Sequence, residues 1–279
     1  MVPVNRLSLA VATMAVSLLT GSLAALPGSA AAAGTLRIMP LGDSITAGVG
    51  SSANDGWRYP LQQRLRAANV PFDFVGSQRT GSNGDRDHEG HGGWTIDQLA
   101  ARADGWLTSY QPQVVLLHAG TNNITMGEDP ALVAQKLSAF IDQILIKAPD
   151  AAVFVSTIID TGVATEVPAN RSYNARIPGI VAAKGGRVHL VDQSTVTGQS
   201  IYDHHHPNDF GYEKMAFSWY AAMRTHLAPH WPVPAGNPYE RTRNVRLRLY
   251  DFTTMARSDF SYNRVAVVVV NGQRVEAWS

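Results

Sequence analysis

Leu36-Arg37-Ile38-Met39-Pro40-Leu41-Gly42-Asp43-Ser44-Ile45-Thr46 decides how the rest of the chain is read. The first six residues form a mostly apolar run of strand length, and a helical stretch follows Thr46. Gly42-Asp43-Ser44 therefore occupies the turn after a first buried strand. In open α/β folds that turn stands at the carboxyl ends of a parallel sheet, where ligands bind. A serine there can hold its hydroxyl over the sheet edge. It can equally do no more than cap the following helix with Asp43, so the stretch gains meaning from what lies downstream.

From residue 35 onward, apolar runs alternate with amphipathic stretches. Strands are expected over 36–41, 72–75, 114–118, 152–159 and 188–191, and helices over 57–68, 95–110, 130–147, 170–183 and 209–228. Pro130 suits a first helical turn behind Asp129 as its cap. Near-continuous apolar strands in β-α alternation indicate a parallel sheet covered on both faces. The expected fold is a three-layer α/β/α sandwich with a five-stranded parallel sheet, spanning 34–228. Pro229, Pro232, Pro234 and Pro238 mark a linker over 229–239. Residues 240–279 read as a short β-rich C-terminal extension of two or three strands, too few to stand alone. The extension resembles one repeat of the FG-GAP propeller type, with Asp251 and Asp259 framing a loop. Its residues 252–258 contain neither acid nor glycine, which speaks against calcium there.

Residues 1–33 read as a secretory signal peptide: Arg6, an apolar stretch from Leu7 to Leu26, then small residues from Ala30 to Ala33. A membrane anchor is the other reading of that stretch, and the Pro27-Gly28 break favours cleavage. Its removal takes away one basic residue and no acid, leaving 22 of each sign. A formally neutral chain is not drawn to nucleic acid or anionic membrane by charge. Cysteine is absent, so an exported chain relies on its core, and thiol nucleophiles are excluded. The expected location is extracellular. Asn123-Ile124-Thr125 is a glycosylation acceptor beside a candidate site residue, which suits bacterial export better than eukaryotic.

Three later segments carry chemistry. Asp203 and His206, three apart in a turn before a helix, can set a carboxylate against one imidazole nitrogen and leave the other outward. The run His204-His205-His206 with Asp203 also has metal-ligating capacity, although adjacent histidines rarely converge on one ion. Asn122, past the third strand in Gly120-Thr121-Asn122-Asn123, offers an uncharged amide donor for an oxyanion, or simply shapes a turn. Gly93 precedes a helix start, so its N–H can point at the same oxyanion. Gly90 and Gly92 lie close by, and a purely conformational role for these glycines is equally open. No Gly-x-Ser-x-Gly surrounds any serine after residue 33, which argues against the α/β-hydrolase elbow.

In order, Gly42-Asp43-Ser44, a glycine in the second block, Gly120-x-Asn122 and Asp203-x-x-His206 resemble the four blocks of the SGNH (GDSL-type) hydrolases, over residues 35–228. The resemblance implies a flavodoxin-like sheet, Ser44 as nucleophile, His206 as general base and Asp203 as its orienting group. It implies an oxyanion hole of Ser44, Gly93 and Asn122, and a mechanism without metal or organic cofactor. Asn123 departs from the aspartate of many members, a change expected to loosen a loop contact. Phe74-Val75-Gly76-Ser77, His88-Glu89-Gly90-His91-x-Gly93-Trp94-Thr95-Ile96 and His206-Pro207-Asn208-x-x-Gly211-Tyr212 are similar to carbohydrate esterase family three. That implies acetyl esters on xylan or a related polysaccharide as substrate. Trp57, Tyr59 and Trp94 lie near the blocks and offer rings for sugar stacking, or for core packing. A lipase or lysophospholipase would use the same residues but carry an apolar lid, which is not visible; a short-chain thioesterase is chemically close. A carbohydrate-binding protein with a dead site would lack one of the required residues, and all are present.

Overall fold

The computed structural model describes residues 34–240 throughout, and only the backbone of the segments 245–251, 256–262, 268–270 and 273–275. One sheet is built from β1 (Leu36–Gly42), β2 (Phe72–Phe74), β3 (Gln78–Arg79), β4 (Asp87–Gly90), β5 (Val114–His118), β6 (Ala152–Ser156) and β7 (Val188–Val191). Its order is β3-β4-β1-β5-β6-β7, with β2 also on β1. Every pairing is parallel except the β3–β4 hairpin. All five expected strands are present. The two further short strands escape a hydrophobic reading because β4 is Asp-His-Glu-Gly, polar yet mostly buried.

Pro40 stands in the middle of β1, where a proline would normally break the ladder. The carbonyls of Ile38 and Gly42 accept the N–H groups of Val75 and His91. Even-numbered positions of β1 thus face the β2/β4 side. β2 pairs only with 36–38, and β4 only with 41–42. The N–H that Pro40 lacks falls in the gap between them, so no bond is lost.

The helices are α1 (Ser44–Ala47), α2 (Arg58–Ala67), α3 (Ile96–Tyr110), α4 (Thr121–Thr125), α5 (Pro130–Lys147), α6 (Val167–Asn174), α7 (Ile177–Ala183) and α8 (Asp209–Leu227). Successive strand residues feed opposite faces. Met39, Leu41, Val115 and Leu117 pack with α3, α5 and α7. Ile38, Val114, Leu116 and Phe154 pack with α2 and α8. The helix expected over 170–183 is two helices instead. Pro178 enters the first turn of α7, and its ring would clash with the carbonyl of Asn174 in a continuous helix. β6 also ends at Ser156 rather than 159. The chain there turns to α6, where Asn174 bonds both N–H and carbonyl of Ile158, and Asn170 bonds the Ile159 carbonyl.

Beyond the linker, β8 (Val245–Asp251) pairs antiparallel with β9 (Ala256–Tyr262), and β10 (Val268–Val270) with β11 (Gln273–Val275). β9 begins inside the stretch expected as a loop between Asp251 and Asp259. The expected signal peptide over 1–33, and the calcium-loop positions 252–255, lie outside the described residues. Among the described residues, no helix is long and apolar enough to cross a membrane.

Two buried polar side chains hold the loops around β1. Arg58, 1% exposed, donates to the carbonyls of Thr46, Ala47, Asn54, Thr80 and Arg86. Burial lowers its pKa to about 10, against the opposing pull of Asp55. His88 is fully buried; Nδ1 accepts the Gly90 N–H at 2.9 Å, and Nε2 lies 2.8 Å from the Thr80 hydroxyl. Burial, with the Arg58 charge and His91 nearby, pushes the His88 pKa down to about 2. The unfolded imidazole binds a proton near pH 6.5 and the folded one does not. This contribution is therefore complete above pH 6.5 and is lost as pH falls towards 2. Urea unfolding at pH 7 and pH 4.5 should show a loss of ~2–3 kcal/mol from this group. His88→Gln should be less stable at pH 7 and show a flatter acid slope; an unchanged slope would refute this origin.

Candidate active site

Gly42 brings β1 close to its neighbour. A Cβ there would lie 2.2 Å from the His118 carbonyl oxygen and 2.5 Å from Thr46 Oγ1, so only glycine fits. Asp43 then caps α1, its Oδ1 accepting the Ile45 N–H at 3.0 Å. The capping role considered for Asp43-Ser44 is thus real, but Asp43 performs it, and the Ser44 hydroxyl is left for another partner. Beneath it, His118 is fully buried with Nδ1 4.0 Å from Asp43 Oδ1. Burial holds His118 below its usual pKa, in the neutral form.

The partner of Ser44 comes from the turn before α8. His206 Nε2 lies 2.9 Å from Ser44 Oγ. On the other side of the ring, Nδ1 lies 2.8 Å from Asp203 Oδ2 and 3.1 Å from Oδ1. Asp203 Oδ1 also accepts the N–H groups of His205 (2.7 Å) and His206 (2.9 Å), closing the turn on itself. Burial raises the Asp203 pKa, but these two N–H groups and the imidazole outweigh it, and the net shift is downward. Asn208 caps α8 through the Gly211 N–H. Two bonds tie this region to the loop after Ser44: Asp209 Oδ1 accepts the Ser52 N–H, and the Tyr212 hydroxyl donates to the Val49 carbonyl.

Two candidate N–H donors come from neighbouring loops. Gly120, in the left-handed region at φ +113°, turns the chain from β5 into α4; Tyr173 fills the space a Cβ would need. Asn122 Nδ2 donates one proton to the Trp94 carbonyl at 2.8 Å, which fixes the amide and leaves its second N–H. Gly93 has φ +78° and open space around its Cα. Gly90, by contrast, gives its N–H to His88 and packs its Cα against Ala47. A Cβ on Gly92 would lie 3.9 Å from that of Ser44, so Gly92, next to Gly93 in the chain, faces the serine. Among the described residues the N–H groups of Ser44 and Gly93 donate to no protein acceptor. Such an arrangement can take a proton from a hydroxyl and offer N–H donors to a developing negative oxygen.

Several expectations about neighbouring residues change. Trp57 is not available to a sugar: it is fully buried, with its ring 5.4 Å from that of Trp219 in the α2/α8 core. Tyr59 is half-buried beside Gly84. Trp94 is half-buried and does adjoin the site, through its bond to Asn122. Asn123 is fully buried, accepts the Ile96 N–H and donates to Glu128. The three histidines diverge. His206 faces Ser44, His205 pairs with Glu166 at 2.7 Å, and His204 lines a cavity of about 590 Å³ with Asp203, Tyr202 and Thr161. Among the described residues, no group of three or more His, Asp or Glu is placed to hold a metal ion. Tyr202, 68% exposed and adjacent to Asp203, is a site-side aromatic that the motif reading passed over.

A sequence-family model described as the GDSL-like lipase/acylhydrolase family matches residues 41–214. Among solved structures, a family 3 carbohydrate esterase of Clostridium thermocellum superposes with TM-score 0.63 at 36% identity, covering 71% of this chain and all of that one. A carbohydrate esterase family 3 structure from Talaromyces cellulolyticus gives 0.59 at 25% identity, covering 67% of this chain and 95% of that one. A multidomain esterase of Ruminococcus flavefaciens is 29% identical over 262 residues, covering 79% of this chain. The chain spans 32% of the length of that curated relative, and 56% of a second one from Acetivibrio thermocellus.

Proposed function

We propose, given that this chain belongs to the GDSL-like lipase/acylhydrolase family and is a carboxylic ester hydrolase, that it is an exported serine esterase removing acetyl groups from a polysaccharide such as xylan. The observation that carries the mechanism is the continuous chain from Ser44 Oγ through His206 to Asp203, at 2.9 and 2.8 Å. Similarity to family 3 carbohydrate esterases supports the sugar substrate, and the composition of residues 1–33 supports export.

With Nδ1–H donated to Asp203, the Nε2 lone pair of His206 accepts the Ser44 proton as Oγ attacks the acetyl carbon. The C–O π pair moves onto the carbonyl oxygen, where the N–H groups of Ser44 and Gly93 and the second N–H of Asn122 receive it. Each such donor is worth roughly 3–4 kcal/mol in the transition state. Collapse breaks the bond to the sugar oxygen, which leaves with the proton held by His206. Water then attacks the acetyl-serine, giving its proton to His206, and acetate departs as Ser44 recovers its hydrogen.

A short acyl preference separates this reading from a lipase. Acetate should be released from acetylated xylan, and p-nitrophenyl acetate should be hydrolysed with at least about tenfold higher kcat/KM than the octanoate, since each added methylene must find apolar surface to be rewarded. Octanoate preferred over acetate would overturn the acetyl assignment in favour of a lipase.

A further inference from the structure

Glu89 is a fully buried carboxylate on β4, outside the Ser44-His206-Asp203 chain. Its oxygens accept the N–H and the hydroxyl of Ser77 and face His91 Nε2 at 2.8 Å. A buried charge needs such partners to persist. The His91 imidazole, so fixed, stacks on two indoles: Trp94 at 4.2 Å and 21° between planes, and Trp106 at 4.7 Å and 10°.

The main chain of the same residues spans the site. The His91 N–H donates to the Gly42 carbonyl, two residues before Ser44, at 2.9 Å. The His91 carbonyl accepts the Trp94 N–H at 3.2 Å, closing a four-residue turn. Gly93 holds its third position at φ +78°, as a type II turn requires. The Trp94 carbonyl then holds the Asn122 amide at 2.8 Å. One four-residue turn therefore connects all three oxyanion groups, and its side chains lead back to Glu89.

We propose that Glu89 and His91 are positioning residues for ester hydrolysis. Their hydrogen-bonded pair sets the plane of the His91 ring, the ring sets Trp94, and this fixes where the Gly93 N–H and the Asn122 amide point. The main-chain bonds hold the ends of the turn, and the side-chain hydrogen bond and ring stacking, both directional, refine its orientation. The inference rests on Ser44, Gly93 and Asn122 acting as proposed above.

The test is His91→Ala, with His91→Gln as a variant that keeps an amide donor towards Glu89. Each is assayed with p-nitrophenyl acetate, with the folded fraction counted by circular dichroism. A trifluoromethyl ketone, whose carbonyl adds Ser44 Oγ to give a hemiketal oxyanion while His206 takes the serine proton, is titrated alongside. In His91→Ala, kcat per folded molecule should fall about 10- to 100-fold with KM within about twofold, and ketone affinity should fall in step. His91→Gln should lie between it and wild type. Unchanged kcat and ketone affinity in either folded variant, with only the melting temperature lowered, would overturn the proposal and leave the pair a stabilising contact. Ser44→Ala in the same assay separates the two levels. If it stays active, the site assignment fails; if it is dead while the His91 variants keep full kcat, only the positioning role fails.

Discussion

Ser44→Ala should lower kcat for p-nitrophenyl acetate by at least about 10⁴-fold with the fold intact, because among the described residues Ser44 Oγ is the hydroxyl hydrogen-bonded to His206 Nε2. The side chain is small and caps nothing, since Asp43 makes the capping bond to Ile45. The loss should therefore be in chemistry and not in stability. Equal melting temperatures with activity at the background rate is the expected pair of results. A variant retaining more than about a tenth of wild-type kcat would remove Ser44 from the mechanism.

Asp203→Asn should cost about as much, roughly 10⁴-fold in kcat, by reversing the direction of one hydrogen bond. Asp203 Oδ1 accepts two backbone N–H groups, from His205 and His206. In the asparagine variant the amide oxygen must take that position, which puts the NH₂ where Oδ2 now faces His206 Nδ1. The imidazole must then accept at Nδ1 and carry its proton on Nε2. A protonated Nε2 donates to Ser44 Oγ and cannot remove its hydrogen. The effect should appear in kcat, with substrate binding little changed. Asp203→Asn activity close to wild type would show that the carboxylate does not set the tautomer.

What could be read in advance divides by the range of the interaction that decides it. Ser44, Asn122, Asp203 and His206 stand in short local patterns whose geometry follows from the turns that carry them. The sandwich likewise follows from the β-α alternation of near-continuous apolar strands. The choice between stacking and packing for Trp57 is not legible locally, because its burial depends on Trp219, 162 positions away. β4 escapes a hydrophobic reading because Asp-His-Glu-Gly carries no apolar period; its buried side chains are satisfied by Thr80, Ser77 and His91. The break before α7 was legible, since Pro178 forbids a continuous helix. That Pro40 is harmless in a central strand is not legible, since it depends on the gap between β2 and β4. Arg58 shows the same limit: a lone arginine gives no sign that it will bind five carbonyls.

The most direct test of the central claim is to quench the enzyme within its first turnovers on p-nitrophenyl acetate and map the added mass by peptide mass spectrometry. Quenching into acid unfolds the enzyme and leaves any serine acetyl ester already formed intact. The account predicts one acetyl group, on the peptide holding Ser44, absent from Ser44→Ala. Acetate formed at full rate with no acetylated Ser44 at any quench time, or an acetyl group on another residue, would contradict it.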